Sequence, residues 1–389
     1  MSPPLEAVVS LHPPKDVSIG EIEQELSRIW QGSDGAAGPS AVRAATFTLL
    51  VYEPEAPTGV PSPSVEAMAA QNPCRVIDLC PLVSDDDTGL QAQVAAYCPL
   101  QKRGHSNLIC CEYITLQGSM LALERATGLI SGLLINDLPT YLWWQAMPDP
   151  NHPLLRSLVG LGQSTDLTSG VRVIVDSSIF SDPEIGLQQV RDLQAAGIPV
   201  ADLNWRRLAA WQELTAEVFD PPERRVALPD LDQVVIDYER GNSAQALLFL
   251  GWLAGRLGWQ PQSRHWEDGD YALEHIHFQS PAGRPIVAEL AAIPLGEVGA
   301  VLGDLVGLRL DSTNAAANCC TVLCSSTTGC MRLEAGGKAQ SCHVEQVEAP
   351  LDQLAEDLLG PQIQRWGQQN QLYAESLAVA ADILNVPRT

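Results

Sequence analysis

Apolar residues Ile22, Leu26, Ile29 and Trp30 recur at helical spacing behind Ser18-Ile19-Gly20-Glu21, a capping box. The pattern predicts a short amphipathic helix over about 19–30. Gly, Ser and Ala dominate 31–40, which reads as a flexible link. From 42 to about 219, short apolar runs alternate with stretches of helical period. Strands are expected at 46–52, 75–79, 108–116, 141–144 and 171–175, and helices at 119–132, 182–196 and 205–219. The helix at 182–196 is punctuated by Asp182 as N-cap, Pro183 at its first position and Gly197 beyond its end. Runs such as Leu108-Ile109-Cys110-Cys111, apolar on both faces, suit central strands.

Asp220-Pro221-Pro222 stops this alternation, which places a domain boundary near 220–230. Beyond it come a strand at 234–237, an all-round apolar helix at 244–257, strands at 273–278, 286–290, 306–310, 321–324 and 331–334, and closing helices near 351–359 and 370–384. The expected architecture has three parts. Residues 1–40 form a helix and link. Residues 41–225 form an α/β domain, with a mainly parallel or mixed sheet and helices on its faces. Residues 226–389 form an α+β domain with an antiparallel sheet.

A length of 389 residues exceeds the roughly 250–300 at which one core stops growing, in keeping with two domains. The 23 Lys and Arg against 47 Asp and Glu give a net charge of -24, a field that repels nucleic-acid backbones and anionic lipid headgroups. The longest apolar run, 246–254, is broken by Gly251 and is far shorter than the ~20 residues of a membrane span. Residues 1–15 lack a basic stretch followed by an apolar core, so a cytoplasmic protein is expected. In that reducing setting ten cysteines read as buried thiols, metal ligands or redox sensors rather than a disulfide framework.

Cys324 and Cys330 flank a polar, Gly-containing loop between β-type residues, the signature of a hairpin. Facing each other at its mouth, their Cα atoms would stand roughly 4.5–5.5 Å apart, within disulfide range. Cys319, Cys320 and Cys342 are further candidate redox cysteines. Three readings stay open for the group: buried thiols, a redox pair, or a zinc site shared with His343, although paired C-x-x-C ligands are absent. Cys74 and Cys80 have the same spacing as Cys324 and Cys330, but an unbroken strand separates them, and they cannot bridge to each other. Cys110 and Cys111 are expected to point to opposite faces of a strand as packing residues.

His275 and His277 share a strand face without an evident third ligand, and read as hydrogen-bonded or surface histidines. Asp176-Ser177-Ser178 follows a strand end, where α/β proteins place ligands, but a loop cap is the simpler reading. Gly160-Leu161-Gly162 lacks the third glycine of a dinucleotide fingerprint, and no Walker A, nucleophile-elbow or zincin motif occurs. Trp143-Trp144, Trp205 and Trp211 suit the core, yet Trp and Arg also dominate binding hot spots, which makes Arg206, Arg207 and Trp211 a candidate partner-binding group.

At Asn136-Asp137-Leu138-Pro139-Thr140-Tyr141-Leu142-Trp143-Trp144 and Asp202-Leu203-Asn204-Trp205-Arg206-Arg207-Leu208-Ala209-Ala210-Trp211 the sequence resembles the bacterial glucose-6-phosphate dehydrogenase assembly protein family, OpcA. The resemblance covers most of the chain after about residue 40. It implies a non-catalytic, cofactor-free protein that binds glucose-6-phosphate dehydrogenase and promotes its assembly and activity. In the cyanobacterial branch, which the cysteine-rich C-terminal region resembles most, it also implies control by thioredoxin, a role assigned here to Cys324 and Cys330. The rival expectations are a small-molecule enzyme using Ser177 and Ser178, and a zinc-stabilised scaffold.

Overall fold

The computed structural model describes residues 8–33, 40–54, 72–82, 89–99, 107–161, 170–269, 272–295, 299–314, 317, 319–325, 342–348, 352–366 and 370–388. In chain order these form β1 (Val8–Val17), a 3-10 turn, α1 (Ile22–Ser33), β2 (Ser40–Arg43), β3 (Thr48–Tyr52), β4 (Arg75–Pro81), β5 (Gln91–Pro99) and β6 (Asn107–Gly118). Then come α2 (Met120–Arg125), α3 (Thr127–Leu133), β7 (Thr140–Trp144), α4 (Pro153–Val159), β8 (Arg172–Val175), a second 3-10 turn, α5 (Pro183–Ala195) and β9 (Val200–Asp202). Helices α6 (Leu203–Arg207), α7 (Ala209–Val218) and α8 (Pro222–Arg225) lead to β10 (Gln233–Glu239) and α9 (Ala244–Leu257). The remainder comprises β11 (Gln260–Asp268), β12 (Ala272–Gln279), β13 (Pro285–Ile293), β14 (Leu305–Asp311), β15 (Thr321–Ser325), β16 (His343–Val347), α10 (Ala355–Gln364) and α11 (Asn370–Asn385).

Local chemistry explains the main starts and stops. Ser18 Oγ donates to the Glu21 carboxylate at 2.8 Å, and α1 buries Ile22, Leu26, Ile29 and Trp30 as its period demands. Asp182 Oδ1 accepts from the Ile185 amide at 3.0 Å to start α5, and Gly197, at φ +81°, closes it in the left-handed region. The single helix expected at 119–132 divides at Ala126, whose amide bonds both the Ala122 and Leu123 carbonyls at 3.1 Å. The helix expected at 205–219 begins earlier, at Leu203 behind the capping Asp202, and divides at Leu208.

Chain contacts separate two compact units, neither continuous in sequence: Met1–Val175, Leu193–Ala201 and Ala355–Arg365 in the first, and Asp176–Asp192, Asp202–Leu354 and Trp366–Thr389 in the second. The first holds a sheet in the order β1-β5-β6-β4-β3-β7-β8-β9, with β2 also on β6. Its centre is parallel, from β6 through β4, β3 and β7 to β8, while β1 and β5 join antiparallel. Leu49, Leu50, Val51, Val76, Ile77, Leu142, Trp143 and Trp144 are buried along it, as strands covered on both faces require.

The second unit's sheet runs β11-β12-β13-β10-β14-β15-β16. The antiparallel sheet expected here is mixed: β11–β12, β12–β13, β10–β14 and β14–β15 pair antiparallel, but β10 runs parallel to β13, and β15 parallel to β16. The chain leaves β10 through α9, enters the sheet three positions away at β11 and returns through two antiparallel pairings, so that β13 lies beside β10 in the same direction. Helices α9 and α11 approach closely at Gly251, where a Cβ would lie 2.4 Å from the Ser376 carbonyl oxygen. The strand expected at 331–334 lies outside the described residues.

Candidate functional site

In an open parallel sheet, ligands sit beyond the carboxyl ends of the strands where the strand order reverses. Here the chain builds outward from β3 through β4 to β6 and then crosses back to β7 on the other side, so that point lies between β3 and β7. Tyr52 and Trp144, the last residues of those strands, stand side by side in register and stack with ring centroids 3.9 Å apart. His152 sets its ring against both, at 6.0 and 5.0 Å, and Gln145 Nε2 donates to the Glu53 carboxylate at 3.2 Å. Both stacked rings are buried, and burial pushes the Tyr52 hydroxyl pKa up. Packed aromatic side chains thus stand at the strand ends.

Asp176, which follows β8, and Asp202, at the end of β9, belong to a buried polar cluster. Arg207 Nη1 and Nη2 donate to the two Asp176 carboxylate oxygens at 2.7 and 2.9 Å, and Arg207 Nε donates to the Gln353 carbonyl at 2.8 Å. Asp176 Oδ1 also accepts from the Ser178 amide and hydroxyl at 3.1 and 2.6 Å. Asp202 Oδ1 accepts from the Ser177 and Asn204 amides at 3.0 and 2.9 Å, and Asn204 Nδ2 donates to Ser177 Oγ at 3.1 Å. Asn242 Nδ2 reaches the Ser177 and Ser178 carbonyls at 3.0 Å. Burial, with the Asp176 carboxylate next, raises the Asp202 pKa to about 6.

The loop-cap reading of Asp176 is therefore right, while the enzymatic reading of Ser177 and Ser178 finds both hydroxyls buried and already bonded. The three residues of the candidate partner-binding group differ in their exposure. Arg207 is buried by its ion pair with Asp176, Trp211 is buried as well, and only Arg206, half-buried, keeps some surface. A helical Arg looks exposed in sequence, and nothing local announces an Asp 31 positions upstream.

Of the C-terminal cysteines, Cys319, Cys320, Cys324 and Cys342 lie among the described residues, in or beside β15 and β16. Cys320 and Cys342 form a disulfide with Cα atoms 4.7 Å apart. Each immediately precedes its strand, and Thr321 and His343 are the first partners of the parallel β15–β16 register. The bridge closes a loop of 22 residues, which the chain-entropy argument values at about 3 kcal/mol. Cys324, buried in β15 between Gly307 of β14 and Gln346 of β16, is disulfide-bonded, whereas Cys330 lies outside the described residues. Cys319 is a buried thiol whose pKa burial and the nearby Asp311, Asp230 and Asp232 raise to about 11.

One cysteine expectation is corrected: Cys110, expected as a packing residue, is disulfide-bonded as well as buried. The Cys320–Cys342 bridge joins two residues expected as candidate redox cysteines. Cys74, Cys80, Cys111 and Cys319 are thiols. His275 stands 3.4 Å from Glu267, and no group of metal-ligating side chains assembles among the described residues. Nor is any described helix long and apolar enough to cross a membrane.

Comparison with known proteins returns two family matches along the chain. Residues 65–192 match the glucose-6-phosphate dehydrogenase subunit N-terminal domain, and residues 198–377 the C-terminal domain of the same subunit. Proteins described as candidate OxPP cycle protein OpcA are similar nearly end to end. That of Nostoc punctiforme is 45% identical, covering 97% of this chain and 96% of its own. That of Synechocystis is 44% identical, covering 99% and 94%. Among solved structures, the WlbA dehydrogenase of Thermus thermophilus aligns over 88% of this chain and 96% of its own, at 11% identity and a TM-score of 0.43, too loose a likeness to bear on function.

Proposed function

The chain belongs to the glucose-6-phosphate dehydrogenase subunit family, the OpcA proteins, and from that membership we propose that it is a non-catalytic partner of glucose-6-phosphate dehydrogenase. It binds the enzyme in the cytoplasm, promotes its assembly and raises its activity in the oxidative pentose phosphate pathway. The observation that carries this reading is similarity at 43–45% identity across nearly the whole chain, covering both units.

Activation follows from differential binding: the partner stabilises the dehydrogenase's active arrangement only as far as it binds that arrangement more tightly than the inactive one. Control is exerted by thioredoxin on Cys324 and Cys330, whose oxidised pair holds the binding-competent shape and whose reduction releases it. The bonded state of Cys324 supports this placement. The test is dehydrogenase activity at sub-saturating glucose 6-phosphate, with the oxidised protein and again after reduced thioredoxin. A rise that reduction reverses in the native chain, and no longer reverses in Cys324→Ser, is the expected result. Equal redox sensitivity of Cys324→Ser would remove the switch from this pair.

A further inference from the structure

Parallel strands β15 and β16 carry a cysteine immediately before their first register partners, Thr321 and His343, and those two cysteines are bonded. The same arrangement recurs in the first unit. Cys74 immediately precedes Arg75 and Cys111 immediately precedes Glu112, and Arg75 and Glu112 are the first register partners of the parallel pair β4–β6. Here the sulfurs are thiols, 4.0 Å apart, with the Cys74 Sγ donating to the Cys111 Sγ. Cys111 Sγ in turn donates to the Asn72 carbonyl at 3.5 Å, and the Glu112 amide bonds the Cys74 carbonyl at 3.3 Å. The backbone is thus tied on both sides of the thiol pair.

We propose that Cys74 and Cys111 are a second modification site, a dithiol that closes to an intramolecular disulfide on two-electron oxidation by hydrogen peroxide. The geometry needs only that the sulfurs close from 4.0 Å to about 2.05 Å by side-chain rotation, with no change of strand register. The Cys320–Cys342 bridge shows that a position flanking a parallel pair accommodates that bond in this chain. The Cys111 sulfur, losing its proton, attacks one peroxide oxygen. The O–O bond breaks, leaving a sulfenic acid, and the departing hydroxide takes the proton to become water. The Cys74 sulfur then attacks the sulfenic sulfur, forming S–S and breaking S–O, and the hydroxyl leaves with the Cys74 proton as a second water. Two thiols and one peroxide give one disulfide and two waters.

The pair sits where a change would be felt. Arg75 Nε donates to Glu112 at 2.8 Å, Arg75 Nη1 to Glu23 of α1 at 2.6 Å, and Trp30 Nε1 of α1 to Glu112 at 2.8 Å. Helix α1 is thereby held on the two residues that follow the thiols. Both sulfurs are buried, so peroxide enters on local opening and the reaction is slower than at an exposed thiol.

The experiment starts from full-length protein reduced with dithiothreitol and freed of it. Hydrogen peroxide is added until Cys320–Cys342 has re-formed, remaining thiols are alkylated in denaturant, and peptides are mapped without reductant. The expected result is a joined species of the Cys74 and Cys111 peptides, about 2 Da lighter than the two thiol peptides together. In Cys74→Ser the joined species is absent and dimedone labels Cys111 as a sulfenic acid. Re-formation of Cys320–Cys342 with Cys74 and Cys111 still alkylated, or bonded to other cysteines, would overturn the proposal.

Discussion

Arg207 and Asp176 form a two-pronged ion pair sealed inside the second unit, at 2.7 and 2.9 Å with both side chains about 95% shielded from solvent. A buried pair gains little over well-packed apolar residues, but losing one member strands the other in a medium that solvates it poorly. Arg207→Met is therefore expected to cost about 3–5 kcal/mol of stability, and Asp176→Leu a similar amount. The double variant should lose clearly less than the sum, because neither charge is then left alone. Urea denaturation of the three variants checks this; additive losses would show that the pair is not a coupled unit.

Gly251 allows α9 to lie against α11. In Gly251→Ala the new Cβ would stand 2.4 Å from the Ser376 carbonyl oxygen and 3.1 Å from the Ala380 amide nitrogen, both backbone atoms. Overpacking of this kind costs about 1–3 kcal/mol, and alanine's better helix propensity returns at most about 1. A lowered melting temperature is expected. An unchanged or higher one would mean that the helices separate freely.

Two buried carboxylates make stability depend on pH in an unusual direction. Burial raises Asp78, which accepts from the Tyr113 hydroxyl at 2.7 Å, and Asp202, beside Asp176, each to about 6. The folded state holds these protons more tightly than the unfolded chain does. Their stabilising contribution is complete below about pH 4 and is lost as pH rises through about 6, on the order of 2–3 kcal/mol each. Asp78→Asn and Asp202→Asn should each gain on the native chain between pH 4 and pH 7 in denaturation series. Difference profiles flat across that window would contradict the assignment.

Strands β3, β4 and β7 were legible because runs such as Thr48–Tyr52 are buried on both faces and leave an uninterrupted apolar signal. Strands β1 and β11 were not. The first contains His12-Pro13-Pro14. The second reads Gln-Pro-Gln-Ser-Arg-His-Trp-Glu-Asp, and its most deeply buried side chain is Arg264, bonded to Glu274 and Glu184. A charged residue inside a sheet mimics an exposed one until its distant partners are known. For the same reason Arg207 passed for a surface residue. The sequence offers Cys320 and Cys342 as redox candidates, but their pairing depends on β15 and β16 running parallel, a relation carried by tertiary structure and not by spacing.

The most direct test of the partner role is sedimentation velocity of this protein, oxidised, with purified glucose-6-phosphate dehydrogenase over a range of ratios. A faster-sedimenting boundary containing both chains, saturating at a fixed ratio, with dehydrogenase activity per enzyme rising over the same range, is the predicted result. Two independent boundaries with unchanged activity would contradict it.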